Sequence, residues 1–101
     1  VNDIHIAVPK RKIAAFCRRW KVVEMGLFGS VLRDDFNASS DVDVLVTFAS
    51  DAQVGLFDLA QMQFELGRLF GHPVDVLEKD ALRNPFRKRE ILKAARVIYA
   101  S

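Results

Sequence analysis

The chain has 101 residues, 50% of them hydrophobic, with 15 Lys and Arg against 13 Asp and Glu for a formal net charge of +2. That length allows one core and no second, so a single domain over residues 1–101 is expected, and the small net charge supplies no global field for nucleic acid. One cysteine, Cys17, excludes an internal disulfide and suits a reducing, cytoplasmic setting, while no apolar run approaches the ~18–20 residues of a membrane span and no charged-then-apolar leader opens the chain.

Residues 1–8 read as a loose start. Pro9 suits a first helical turn, and Ile13, Phe16, Cys17 and Trp20 recur at i, i+3, i+4 and i+7, the pattern of an amphipathic helix with Lys10, Arg11, Arg18 and Arg19 mostly outside. Val22–Phe28 predicts a buried strand ending at Gly29, followed by one helical turn over Val31–Asp34 and a turn over Asn37–Ser40. Val42–Phe48 is a second strand, with Val42, Val44 and Val46 on one side and Asp43 and Leu45 on the other. Ser50-Asp51 breaks it. Leu56–Phe70 predicts a helix whose Leu59, Met62, Leu66, Leu69 and Phe70 share a face, stopped by Gly71-His72-Pro73. Val74–Leu77 is a short strand carrying Asp75. The tail from about Phe86 to Tyr99 reads as a helix with Ile91, Ala95 and Ile98 inward and Arg89, Lys93 and Arg96 outward. This order implies an α/β (α+β) fold, with helices packed on a small mixed sheet.

The stretch Leu27-Phe28-Gly29-Ser30, then ten residues, then Asp41-Val42-Asp43 is the most informative in the chain. Carboxylates at i and i+2 in a β-branched run share a strand face, with their Cα atoms roughly 6–7 Å apart at ~3.3 Å rise per residue. That geometry suits a shared hard cation and is costly without one. A glycine before a serine at a strand end lets backbone approach a phosphate closely, with turn N–H groups aimed at the anion. An isolated Asp-x-Asp pair is often merely structural. Here a third Asp sits in an apolar strand, at Val74-Asp75-Val76, where no neighbouring cation in sequence supplies a partner.

Through Gly29-Ser30-x10-Asp41-x-Asp43 the chain resembles the polymerase-β-like nucleotidyltransferases, and its shortness and Ser-Asp-Val-Asp-Val-Leu-Val run resemble their minimal nucleotidyltransferase subfamily. The resemblance covers nearly the whole chain. It departs at Asp34, where relatives commonly carry glycine after the arginine. The resemblance implies that Gly29 and Ser30 hold the triphosphate. It also implies that Asp41 and Asp43 bridge two Mg²⁺ ions ~3.5–4 Å apart, and that Asp75 completes the catalytic metal site near the attacking hydroxyl. Arg33 either steadies a phosphate or pairs with Asp34 or Asp35 at the surface.

Other residues invite plainer readings. Cys17 lies on the apolar helix stripe and reads as a buried, inert thiol; His72 reads as a cap or turn residue, and His5 belongs to the start. No Cys/His spacing suits zinc. Basic residues crowd the first helix (Lys10, Arg11, Lys12, Arg18, Arg19) and the last segment (Arg83, Arg87, Lys88, Arg89, Lys93, Arg96). A solvated face is their default reading, with an acidic partner or a nucleotide phosphate as the alternative. No aromatic platform is interleaved with them for RNA. Phe57 and Phe64 point away from the core stripe of their helix, which suggests a contact surface, for a partner or a second copy.

The expected activity is metal-dependent transfer of AMP from ATP to a hydroxyl. Minimal nucleotidyltransferases of this kind are associated with HEPN-domain proteins, so the resemblance implies an antitoxin that modifies a tyrosine of a HEPN RNase toxin with AMP. The alternatives are a non-catalytic nucleotide-binding antitoxin acting by occlusion, or a nucleotidyltransferase for a small molecule.

Overall fold

The computed structural model describes residues 4–101. Helix α1 spans Lys10–Trp20 and buries Ile13, Phe16 and Cys17; it ends at Lys21, which is left-handed with φ of 58°. Strand β1 is Val22–Phe28, β2 Val42–Phe48, α2 Leu56–Phe70, β3 Val74–Glu78, α3 Pro85–Ala94 and β4 Arg96–Ala100, with short 3-10 turns at Gly29–Leu32 and Lys79–Ala81. The sheet order is β3-β2-β1-β4. β1 runs antiparallel to both β2 and β4, whereas β2 and β3 are parallel, joined by α2 as the crossover that a parallel pair requires. A small mixed sheet with helices packed on it is what the sequence led us to expect.

One buried cluster joins Ile13, Phe16 and Cys17 of α1, Met25 and Leu27 of β1, Val42, Val44 and Val46 of β2, and Met62, Leu66 and Phe70 of α2. Thus α1 and α2 share one face of the sheet. Glu65 ties the two helices: it accepts from Trp20 Nε1 at 3.2 Å and from Gln61 at 2.9 Å, and pairs with Arg19. Leu45 and Ile91 are buried too, but outside this cluster. Leu45 must face the other side of the sheet, since successive strand residues alternate. Gly71, with φ of 73°, terminates α2 where the sequence placed the stop.

Two expectations are corrected. The tail is not one helix to Tyr99: α3 stops at Ala94, and Ala95 turns extended before β4 pairs with β1. The helical spacing of Ile91, Ala95 and Ile98 competed with a β-branched and aromatic run, Val97-Ile98-Tyr99. The run prevails because it satisfies the otherwise open backbone edge of β1. Nor is the start loose over its described part. Ile4, Ile6 and Val8 pack against the core in alternation, and His5 N–H donates to the Val31 carbonyl at 3.1 Å. Residues 1–3 of that segment lie outside the described residues. A smaller difference is the turn read at Val31–Asp34, which falls at Gly29–Leu32 because it begins directly from the positive φ of Gly29. Among the described residues, no helix is long and apolar enough to cross a membrane.

Candidate active site

The site forms where β1 ends, β2 begins and β3 begins. Gly29 leaves β1 with φ of 76°, a conformation that L side chains rarely adopt, and a Cβ built there would overlap the Asp43 carboxylate. Its lack of a side chain is therefore required twice, by the backbone and by the acid lodged against it. Ser30 follows in the turn, and its hydroxyl donates to the Asp41 carbonyl at 3.0 Å. Hence the Gly-Ser turn and the Asp-x-Asp segment, ten residues apart in sequence, hold one another in place.

Asp41 is exposed just before β2, and Asp43 is half-buried as the second residue of that strand. Asp75 is the second residue of β3, and the parallel register sets it directly beside Asp43. Partners in a parallel ladder project to the same face, so the third carboxylate joins the first two. Asp75 is exposed, however, and water offsets the cost that the sequence assigned to a charge inside an apolar strand.

The Asp43 carboxyl is pushed above its ordinary value of 3.8, first by burial and then by repulsion from Asp75 and Asp41, with the cations of Arg33 and Arg87 opposing. Among the described residues, no three acidic or His/Cys side chains close to the spacing of a finished metal cage. Register and mutual field, rather than bonded contact, define this trio. Its donors are hard carboxylate oxygens, one of them held above its ordinary affinity for protons, which is the donor set that suits Mg²⁺.

Two supporting features escaped the sequence. His72, read only as a cap or turn residue, has Nδ1 3.0 Å from the Ser40 carbonyl and its ring 4.9 Å from that of Phe36. Val42 N–H also donates to the Pro73 carbonyl at 2.9 Å. The turn before β3 thereby clamps the loop that delivers Asp41. Nothing in the spacing of His72 marks a contact across 32 residues of sequence. Arg87 was indistinct within a basic segment; it is exposed, and only its charge reaches Asp43. Arg33 is exposed, with Nε 3.5 Å from Asp35 Oδ1, so the surface pairing occurs while its charge still reaches Asp43. Cys17 is buried, and burial raises its thiol to about 12.

A mixed sheet with acids at the starts of its two parallel strands, β2 and the edge strand β3, beside a glycine-serine turn, is a minimal nucleotidyltransferase fold. The family described as "Nucleotidyltransferase domain" matches residues 10–98, and the chain belongs to it. It is 35% identical over 95 residues to MJ0435 of Methanocaldococcus jannaschii, a relative provisionally named a protein adenylyltransferase, covering 94% of each chain. A toxin–antitoxin crystal structure with AMP-PNP shares the fold at a TM-score of 0.73 and 17% identity, covering 93% of this chain and 75% of that one. So does an MNT antitoxin in complex with a tri-AMPylated HEPN toxin of Shewanella oneidensis, at a TM-score of 0.65 and 16% identity, covering 91% and 70%. The protein is a nucleotidyltransferase.

Proposed function

We propose that this chain transfers AMP from ATP to a hydroxyl, a tyrosine of a HEPN RNase toxin, and so serves as its antitoxin in the cytoplasm. The observation that carries the chemistry is the register of Asp75 beside Asp43, with Asp41 two residues away and Gly29-Ser30 against them. The relative named a protein adenylyltransferase and the toxin complexes sharing the fold support the acceptor class.

In this reading Gly29 admits the triphosphate to close backbone approach, and the Ser30 turn presents its N–H. Asp41, Asp43 and Asp75 would hold a pair of Mg²⁺ ions, which supply charge neutralisation to the triphosphate and acidify the attacking hydroxyl. The acceptor oxygen bonds to the α-phosphorus, the bond to the β-phosphate oxygen breaks, and Asp75 would take the acceptor's proton. In this reading the protein acceptor brings its own surface to the site. Leu56, Phe57 and Phe64, with exposures of 84%, 94% and 61%, offer an apolar strip on α2 for that partner or for a second copy.

The test is intact-mass spectrometry of a HEPN protein encoded beside this one, after incubation with this chain, ATP and Mg²⁺. Added adenylate, lost together with neutralisation in Asp41→Asn/Asp43→Asn, is the expected result. Neutralisation by that double variant without added mass would mean occlusion instead. Transfer to a small hydroxyl compound with no protein partner present would overturn the acceptor assignment.

A further inference from the structure

Between α1 and α2, on the side turned away from the sheet, runs a groove of about 470 Å³ whose apolar lining is Ala15 and Phe16 of α1 and Phe64 and Leu69 of α2. Phe64 is 61% exposed, and Phe57, at 94%, lies two turns before it on the same side of α2. An apolar wall of this kind, left in water, marks a contact surface. Each helix adds an exposed cation to the groove, Lys12 from α1 and Arg68 from α2. Neither makes an ion pair among the described residues, and Arg68 lies 5.9 Å from the centre of the Phe64 ring. Arg19 also borders the groove, but Glu65 answers its charge.

The groove does not end at Arg68. A second concavity, of about 390 Å³, shares Phe64 and Arg68 with it and continues by Gly67 and His72 to Val74, the residue before Asp75. One surface therefore connects the helix pair with the third acid. An apolar trough with unanswered cations selects a helix whose apolar stripe is flanked by carboxylates. A second copy is the wrong occupant, because a two-fold contact through this groove would set its cations against the same cations of the other chain. Nucleic acid fits poorly too, since its phosphates would meet the Glu65 carboxylate and an apolar lining.

We propose that the acceptor protein docks here, laying an acidic amphipathic helix in the α1/α2 groove so that its hydroxyl is led past Phe64 and Arg68 toward Asp75. This rests on the nucleotidyl-transfer reading above for the reaction, while the preference of the groove is a matter of binding alone. Phe64 is the apolar anchor, and Lys12 and Arg68 set the sign of the charge that the partner must carry. Docking of this kind holds the acceptor without covering the acids.

The experiment titrates the full chain with a synthetic amphipathic helix bearing a leucine stripe flanked by glutamates, with the same helix flanked by lysines, and with a short oligouridylate. The glutamate helix should bind, shifting the amide signals of Ala15, Phe64 and Leu69, and the lysine helix should bind about tenfold more weakly. Lys12→Glu/Arg68→Glu should reverse that order, a gain of binding that an unfolded variant does not show, and Phe64→Ala should weaken both helices. With the acceptor protein, the double variant should raise the KM for the acceptor about tenfold without lowering kcat. Equal binding of the two helices, tighter binding of the oligouridylate, or self-association that Phe64→Ala abolishes overturns the proposal. So does transfer by the double variant with an unchanged KM for the acceptor. No transfer by the unaltered chain, with the glutamate helix still preferred, overturns the transfer reading and not the groove.

Discussion

Gly29→Ala should separate the stability of this fold from its chemistry, and Gly71→Ala is its internal control. Both glycines have nearly the same backbone, φ of 76° and 73°. Forcing an L residue into that region costs about 1–2 kcal/mol. At Gly71 nothing lies within 4 Å of an added Cβ, so that cost is the whole effect. At Gly29 the added Cβ overlaps the Asp43 carboxylate and sits 3.2 Å from its Cγ. Because that carboxylate is the end of a short side chain, it will rotate aside, at a further cost of roughly 0.5–1.5 kcal/mol off its rotamer. Urea unfolding should therefore give a loss of about 1–2 kcal/mol for Gly71→Ala and roughly 1.5–3.5 for Gly29→Ala. AMP transfer to the partner should be near normal in the first, and reduced about 100-fold in the second, since an ångström of misplacement at a reacting centre has that effect. Equal activity in the two variants, measured where both are fully folded, would refute the idea that Gly29 exists to seat Asp43.

Asp43→Asn should stabilise the metal-free protein at pH 7. An acid whose folded affinity for protons is raised keeps its proton in the folded chain over a window above 3.8 where the unfolded chain has lost it, so stability falls as pH rises through that window. The advantage of the asparagine variant should hold at neutral pH in EDTA and vanish as pH drops below that ordinary value; an advantage that persists there refutes the repulsion argument. His72→Ala should cost about 1 kcal/mol for its bond to Ser40 and also weaken Mg²⁺-supported transfer by loosening Asp41, while His72→Asn restores part of both. A variant that loses stability but keeps full transfer would limit His72 to the fold. Cys17, buried with its thiol raised to about 12, should react with a thiol reagent only at the rate of global unfolding, and fast labelling in native buffer would contradict that burial.

Local rules were enough for much of the molecule. The bounds of α2 follow from its apolar stripe and from Gly71, which alone can take the left-handed turn cheaply. The faces of β2 follow from strict alternation, and the candidate acids from carboxylates set in β-branched runs. The C-terminal strand was not legible, because Ile91, Ala95 and Ile98 satisfy a helical period equally well. Only the open edge of β1, a partner about 70 residues away, decides between the two. The start was misread for a related reason: Ile4, Ile6 and Val8 alternate in plain view, but alternation over so few residues means little until a core lies beneath it.

The acids themselves divide in the same way. Spacing at the entry to one strand brought Asp41 and Asp43 together, Asp41 just before β2 and Asp43 as its second residue. That Asp75 stands beside Asp43, that Gly29 is hollowed for the Asp43 carboxylate, and that His72 holds the loop before Asp41 were decided only by the tertiary structure. Each depends on the register of β2 against β3 or on how a turn or helix packs over the sheet. Such registers are set by the summed burial of many side chains, and no short stretch of the chain records them.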